Sequence, residues 1–310
     1  MKQTIFTLLV LISIGFMSCR KDRNDPDIKQ YDESQIKNYI AANGITDMLR
    51  DTTGGDTSGI YYKIISQGRG TPMDYSDQIS FVFTVRTLDG KFISVDSLNQ
   101  NHYYGYLGHI SSSLPKGLQT AVHNLIKYKG TSARVIIPSH LAYGVNGYGT
   151  GSSSNANTHI GGNQSLDYYI NVVSNQELYD DAIITNYIKS KGLTGFAKTA
   201  DGVYIKVATP GTGSDLIDLD SYITYTYSGK ILSDVVFDAN STSSSLTVSS
   251  FVKGVQEGLT GQTSGAAISM IIPSRFAYGT TGTSSAGSGG ITLGANTVLY
   301  FDFTVSAVSN

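Results

Sequence analysis

The sequence predicts a fold of mixed helix and strand that is built twice along the chain. The clearest sign is a repeated ten-residue segment: VIIPSHLAYG at residues 135–144 returns as MIIPSRFAYG at residues 270–279. Around both copies, apolar and polar residues alternate with the period of two that is typical of half-buried strands. Because 310 residues of which 40% are hydrophobic can bury two modest cores, the repeat favours two domains.

The first 18 residues are typical of a secretory signal peptide. A short basic start, Met1-Lys2, precedes an apolar stretch over residues 5–16 that is too short to span a bilayer comfortably. Ser18 stands just before Cys19, the only cysteine, so no disulfide can form within the chain. The segment GFMSC resembles a bacterial lipoprotein processing site, which implies cleavage before Cys19 and its lipidation. The alternative is an ordinary signal peptide with an incidental cysteine.

A polar tether and a helix follow. Residues 19–31 carry mixed charge, and Pro26 discourages regular structure there. Asp32 and Gln35 then match a helix N-cap with its reciprocal residue, and Gly44 predicts the end of that helix.

The same plan recurs in the second half of the chain. Ser174 and Glu177 predict a second capped helix, which Gly192 would end. We therefore place the first domain at residues 32–173 and the second at residues 174–310, each opening with a short helix.

Within each domain the pattern predicts several strands and one short helix. The strands are expected at residues 60–66, 79–85 and 166–172 in the first domain and at 203–208, 222–227 and 299–305 in the second. The short helices are expected at residues 115–125 and 251–259. Loops rich in Gly, Ser, Thr and Asn cover residues 147–163 and 280–294, and loops of this length are usually functional or mobile.

Composition argues against several classes of function. The formal charge is −2 and Lys and Arg do not cluster, so electrostatic binding of nucleic acid is not expected. The five histidines lack a close metal-binding spacing and have no cysteine beside them, so we expect no metal and no other cofactor. His140 is interpreted as a solvated turn residue, because Arg275 takes its place in the second copy.

The repeated IIPS…AYG segment resembles the FKBP-type peptidyl-prolyl cis-trans isomerases. That resemblance implies an α+β fold in which a strongly bent antiparallel sheet surrounds one short helix. Here it would be made twice, in a tandem two-domain lipoprotein of the Bacteroidetes-like kind.

In the second domain the resemblance implies a nearly complete substrate pocket. Its catalytic set would comprise Tyr227, Phe237, Asp238, Val252, Tyr278 and Phe301. Further pocket positions would be Leu246, Phe251, Val255 and Leu293, with Val255 standing where the family usually has tryptophan. Taken alone, Tyr278 is more typical of a structural tyrosine and Asp238 of a turn cap. Their order together with the other matches favours a pocket.

The first domain retains less of this set. Tyr143 and Tyr168 keep aromatic positions, whereas Phe83 replaces the tyrosine that pairs with the aspartate and Leu118 replaces the tryptophan. Ile93 and Ser94 take the places of the Phe-Asp pair and Ile160 that of a loop residue. We expect weak catalysis or none in this domain.

The function that the resemblance implies is isomerisation of X-Pro bonds in exported proteins, mainly by the second domain. Its partners would be proline-containing polypeptides, and its location the bacterial outer membrane, through the lipid on Cys19. The alternative is a surface lipoprotein that binds peptides or proteins, chaperone-like, without catalysis.

Overall fold

The computed structural model of the protein describes residues 27–53, 58–99, 101–149 and 159–310. The predicted signal peptide, Cys19 and most of the predicted tether lie outside these residues. Among the residues described, no helix has both the length and the apolar character needed to cross a bilayer.

The first domain is a mixed unit around one antiparallel sheet. Its strands are β1 (Leu49–Arg50), β2 (Tyr61–Ser66), β3 (Gln78–Thr87), β4 (Ile93–Ser94), β5 (His102–Tyr106), β6 (Ser132–Ile137) and β9 (Leu166–Val173). They are ordered β1-β2-β6-β9-β3-β4, and β5 also pairs with β3. A separate two-stranded ribbon joins β7 (Tyr148–Gly149) to β8 (His159–Ile160).

The second domain repeats the strand order of the first. Its strands are β10 (Ala197–Lys198), β11 (Tyr204–Thr209), β12 (Tyr222–Ile231), β13 (Val236–Thr247), β14 (Ala267–Ile272) and β15 (Leu299–Ser309), ordered β10-β11-β14-β15-β12-β13. The last strand of each domain, β9 or β15, pairs on both sides and so forms the centre of its sheet. The predicted α+β fold and its duplication are therefore confirmed.

Each sheet wraps one short helix, as expected. In the first domain α2 (Lys116–Ala121) continues into a wider turn over Val122–Ile126, and in the second the helix is α4 (Lys253–Leu259). Leu118 and Val255 of these helices are buried in the apolar cluster of their own domain. Apolar side chains on one face of the strands form the rest of each core, as the alternation of burial along them requires.

A longer helix lies on the outer face of each sheet. Helix α1 (Ile28–Ala42) buries Ile36 against Tyr61 and Ile136, and α3 (Gln176–Ser190) buries Ile184 against Ile271 of the second sheet.

The N-terminal ends of these helices differ from the prediction. Helix α1 begins at Ile28, so the last residues assigned to the tether are helical, and Asp32 lies inside the helix rather than at its cap. Asn175, not Ser174, caps α3 by accepting the N–H of Leu178.

Asp32 is instead a buried contact between helix and turn. Its Oδ2 accepts the backbone N–H of His140 at 3.2 Å and lies 2.8 Å from the Nδ1 of the same residue. His140 is therefore partly buried and partnered, not the solvated turn residue expected. In the second domain Asp180 occupies the same position of its helix, and it accepts the N–H and the hydroxyl of Ser274 at 2.8 and 2.6 Å.

The two domains are in contact through a third apolar cluster. Leu98, from the segment between β4 and β5, packs with Leu232, Val298 and Tyr300 of the second domain and with side chains of α3. The adjacent residue, Asn99, hydrogen-bonds to the second domain.

His102 gives the first domain a specific pH dependence. Burial lowers the pKa of this imidazole from its usual 6.5 to about 4, and its Nε2 lies 2.9 Å from the Ser80 hydroxyl. The unfolded chain therefore binds one more proton than the folded chain between these two pH values, so this term stabilises the fold at neutral pH and is lost as pH falls from 6.5 to 4.

For the variant His102→Asn we expect the unfolding free energy to fall less over this pH range than in the parent chain. The difference should be at most about 3 kcal/mol, the equivalent of the pKa shift. Urea unfolding of the first domain between pH 4 and 7 measures it, and parallel pH profiles for the two proteins would contradict the assignment.

Candidate active site

Tyr278 is presented by the turn that follows β14. Pro273 ends the strand, a single 3₁₀ turn covers Ser274–Phe276, and Gly279 takes the left-handed conformation at φ +56°. Asp180 fixes this turn from below through Ser274. The tyrosine is 39% exposed, with its ring against the second-domain cavity.

Strands β12 and β13 bring a second tyrosine to a carboxylate. Their register shifts between Gly229 and Lys230, so Phe237 is an extra residue on β13 and turns towards the core. Asp238 lies opposite Gly229, and the Tyr227 hydroxyl donates to its Oδ2 at 2.5 Å.

The loop over residues 280–294 packs on this pair. The Ser288 N–H donates to Oδ1 of Asp238 at 2.9 Å, and the Ser288 hydroxyl bonds the backbone of Ala239. A Cβ on Gly289 would lie 2.1 Å from the carbonyl oxygen of Val236, so a side chain is excluded there. The length of this loop predicts a functional or mobile segment, and the structure shows hydrogen bonds that anchor it to β13.

These elements enclose a cavity of about 400 Å³ at the surface of the second domain. Phe237, Asp238 and Tyr278 form one wall and residues 282–287 the other. Within the described chain the Tyr278 hydroxyl has no hydrogen-bond partner, so it can donate to a ligand. Tyr227 differs, because its hydroxyl is already engaged with Asp238.

An aromatic cluster supports the wall from behind. The rings of Phe237 and Phe301 meet edge to face at 5.6 Å, and Tyr227 lies 6.2 Å from Phe301 and stacks at 5.4 Å on Phe303. A Cβ on Gly229 would come within 3 Å of both Phe237 and Phe301, so this glycine leaves the space that the rings occupy.

The remaining predicted residues of the second domain separate into two groups. Phe251, Val252, Val255 and Leu293 belong to the apolar core that backs the cavity, although none of them lies on its wall. Leu246 is 37% exposed and is outside both the core cluster and the cavity wall.

Electrostatics fix the protonation states of the site. Burial alone would raise the pKa of Asp238, but hydrogen bonds from Tyr227, Ser288 and Ala239 hold it below its usual value. Burial and the nearby carboxylate raise the pKa of both Tyr227 and Tyr278. At neutral pH the site therefore holds one carboxylate and two protonated phenols.

Comparison with known proteins agrees with this geometry. Residues 215–306 match the family model described as FKBP-type peptidyl-prolyl cis-trans isomerase. In this part of the second domain the chain is therefore similar to an FKBP-type domain. The match contains β12 to β14, most of β15, the short helix and all of the cavity wall. No curated protein matches the chain.

Among solved structures, the chain is similar to a peptidyl-prolyl cis-trans isomerase from Pseudomonas syringae pv. tomato, at 26% identity over 44% of this chain and 98% of that one, with a TM-score of 0.37. FkpA from Escherichia coli is similar at 23% identity over 43% and 61% of the two chains, with a TM-score of 0.37. The three FKBP domains of wheat FKBP73 align over 85% and 99% at 15% identity, with a TM-score of 0.33.

The first domain has its own cavity, of about 340 Å³, at the equivalent place. It is lined by Phe83, Val85, Phe92, Ser94, Asn101, Ser113, Leu114, Tyr143, Tyr148, Ile160 and Tyr168. Five of the predicted residues line this cavity, whereas Leu118 lies in the core beneath it. The five are Phe83, Ser94, Tyr143, Ile160 and Tyr168.

The strand pairing explains how this cavity differs from that of the second domain. Ser94 pairs with Val85 and Ile93 with Arg86 without a bulge, so Ile93 faces outward and is 44% exposed. Phe92, not Ile93, supplies the aromatic side chain. Ser94 bonds the side chain of Asn101 at 2.9 Å, where the second domain has a carboxylate and a phenol.

Several functional neighbours were not identified from the sequence as parts of a site. Phe303 follows Phe301 by two residues, so the period of a strand predicts that both lie on the same face, but this period alone does not mark Phe303 as part of a site. Ser288 carries no such signal, because it lies in a loop of Gly, Ser and Ala where no pattern marks one serine. In the part of the chain that the structure describes, no group of three His, Cys, Asp or Glu side chains could hold a metal ion.

The Tyr227 hydroxyl should control the acidity of Asp238. In Tyr227→Phe the carboxylate loses one of its donors, so we expect its pKa to rise and the protein to lose about 1 to 2 kcal/mol of stability at pH 7. In the parent the pKa of Asp238 is lower in the folded chain than in the unfolded chain, so the stability that the carboxylate contributes is lost as pH falls through the folded-state pKa. In the variant we expect this loss at a higher pH.

NMR titration of the Asp238 carboxyl and urea unfolding measure the two effects. Tyr225→Phe is the matched control, because Tyr225 lies near the same carboxylate without a hydrogen bond to it. An unchanged Asp238 pKa in Tyr227→Phe would show that the contact does not hold the carboxylate.

Proposed function

We propose that the protein is a peptidyl-prolyl cis-trans isomerase that acts on X-Pro bonds of exported polypeptides, and that the second domain performs the reaction. The observation that carries this proposal is the unpartnered Tyr278 hydroxyl, which faces a cavity with aromatic support inside an FKBP-type domain. The family match supports isomerase activity in general; assignment to one domain rests on the geometry.

Isomerisation needs no nucleophile, metal or proton transfer. Amide resonance creates a barrier of about 18 to 20 kcal/mol, and uncatalysed exchange takes on the order of tens to hundreds of seconds. A catalyst lowers the barrier by binding the twisted amide better than either planar form. Removal of water helps, because water stabilises the charge-separated planar amide.

The second domain offers the groups for this task. The edge of Phe237 and the ring of Tyr278 can receive a proline ring, and the Tyr278 hydroxyl can hold a substrate carbonyl while the C–N bond rotates. Asp238 keeps its carboxylate bonded to Tyr227 and Ser288. Its role is therefore to fix the wall and the loop, rather than to exchange protons.

A proline-limited refolding assay with the full chain tests the proposal. We expect faster refolding of the reporter protein with the parent chain. Tyr278→Phe should lower kcat/KM about tenfold through the loss of one hydrogen bond in the transition state, and the double variant with Asp238→Ala should lower it further.

The matched control is Tyr222→Phe, the same substitution on an exposed part of β12. No rate gain over buffer with the parent, or an equal gain with the double variant, would overturn the proposal.

A second function, peptide binding without catalysis, is favoured for the first domain by its cavity. The apolar wall persists there, while Phe83 and Ser94 replace the phenol and carboxylate pair. This function would be supported if the double variant still binds the peptide without accelerating isomerisation. Adding Tyr143→Phe should then weaken that binding.

The proposed location is the outer membrane, with the chain held by lipid on Cys19. Support comes from the sequence of residues 1–19 alone. Several acyl chains bind a bilayer stably, because each buried methylene adds about 0.8 kcal/mol.

Removal of the thiol should release the protein from the membrane. In Cys19→Ser we expect the chain to move from the membrane fraction to the soluble fraction, while Ser18→Ala, which keeps a small residue before the cysteine, should stay bound. Labelling with a radioactive fatty acid followed by fractionation measures this, and equal membrane binding of both variants would contradict the anchor.

A further inference from the structure

The loop that forms one wall of the second-domain cavity is held from outside by the first domain. Asn99, in the segment between β4 and β5, is 2% exposed because its side chain enters the second domain. Its Oδ1 accepts the N–H of Gly294 at 2.8 Å and the hydroxyl of Thr297 at 3.2 Å, and its Nδ2 donates to the carbonyl of Thr292 at 3.2 Å.

Both sides of this contact are shaped for it. On the first domain, Oδ1 of Asp96 accepts the N–H groups of Leu98 and Asn99 and so fixes the segment as a turn. On the second domain, a Cβ on Gly294 would lie 2.6 Å from the carbonyl oxygen of Asn99. The φ of Gly294 is outside the left-handed region, so the glycine serves the close approach rather than an unusual backbone conformation.

The contact is directly linked to the cavity. Leu293 precedes Gly294 and exchanges two hydrogen bonds with Thr283: its N–H donates to the threonine hydroxyl, and its carbonyl accepts the threonine N–H, both at 2.9 Å. Thr283 lies on the cavity wall. Asn99 therefore fixes Gly294 next to Leu293, and Leu293 is hydrogen-bonded to Thr283 on the wall of the cavity.

We propose that Asn99 is a positioning residue, through which the first domain fixes the wall of the second-domain cavity and raises its affinity for a proline-containing peptide. The inference rests on the proposed function of that cavity. The loop has no helix or strand of its own, and ordering such backbone costs about 1 to 2 kcal/mol per residue. A loop that is already fixed does not incur this cost when the peptide binds.

The effect should fall on binding rather than on bond rotation. The turn of Tyr278 is held by Asp180 and Asp238 is bonded by Tyr227, and neither Asp180 nor Tyr227 has a hydrogen bond to Asn99 in the described part of the chain. For Asn99→Ala in the full chain we expect amide exchange at Gly294 to accelerate about tenfold and KM for the tetrapeptide Ala-Leu-Pro-Phe to rise about three- to tenfold. kcat should stay within about a factor of two.

Two further variants separate this role from general destabilisation. Gly294→Ala perturbs the same contact from the second domain and should reproduce the KM increase, and the double variant should show less than the sum of the two effects. Ser97→Ala, in the same segment but without a side-chain hydrogen bond, should match the parent. Amide exchange in Gln78–Thr87 should be unchanged in all of them.

The outcomes are distinct. An unchanged KM in Asn99→Ala and Gly294→Ala, or effects that simply add, would overturn the positioning role while leaving the isomerase proposal intact. If the parent chain does not isomerise the tetrapeptide, the proposed activity fails. The positioning role of Asn99 is then tested by the dissociation constant for the same peptide in place of KM. A parent chain that neither isomerises nor binds it overturns both.

Discussion

A buried carboxylate that bonds a turn is the contact on which the rest of each domain depends. Asp32 and Asp180 are both about 1% exposed, and a polar group at that depth is costly to bury unless it is hydrogen-bonded. The Oδ2 of each accepts hydrogen bonds from the turn that follows the strand before Pro138 or Pro273. The contact thus joins the helix to the turn at the end of the strand. The same turn carries Tyr143 in the first domain and Tyr278 in the second. The leading helices are consequently part of the site's support.

The two copies differ through a small change in strand pairing. In the second domain one extra residue on β13 turns Phe237 inward, and Gly229 leaves room for it. In the first domain Val85 takes the position of Gly229, and β4 pairs without a bulge. The same sheet order therefore yields one cavity with a phenol and carboxylate pair and one lined by Phe83 and Ser94. The duplicated fold therefore carries two different sets of side chains at its cavities.

The sequence predicts local structure best where the spacing of apolar residues, or a single glycine at a helix end, determines it. Alternation located the strands, and Gly44 and Gly192 marked the helix ends. The start of α1 was misplaced because Asp32 matches a capping pattern, and only the folded turn shows that its partner is 108 residues away. Ile93 was misassigned because counting along the chain does not reveal whether a bulge is present. The contacts of Ser288 and Asn99 depend on how distant segments meet, and no local pattern encodes that.

The close packing of the loop on β13 limits how the cavity can vary. Gly287 and Gly289 approach the carbonyl oxygens of Phe237 and Val236 so closely that any side chain would push the loop off the strand. Residues 283–286 face the cavity and are free of this constraint, whereas no side chain fits at either of these two glycines. The loop resembles a low-complexity linker in composition. In this fold, however, it combines a short stretch that accepts different side chains with two positions that accept only glycine.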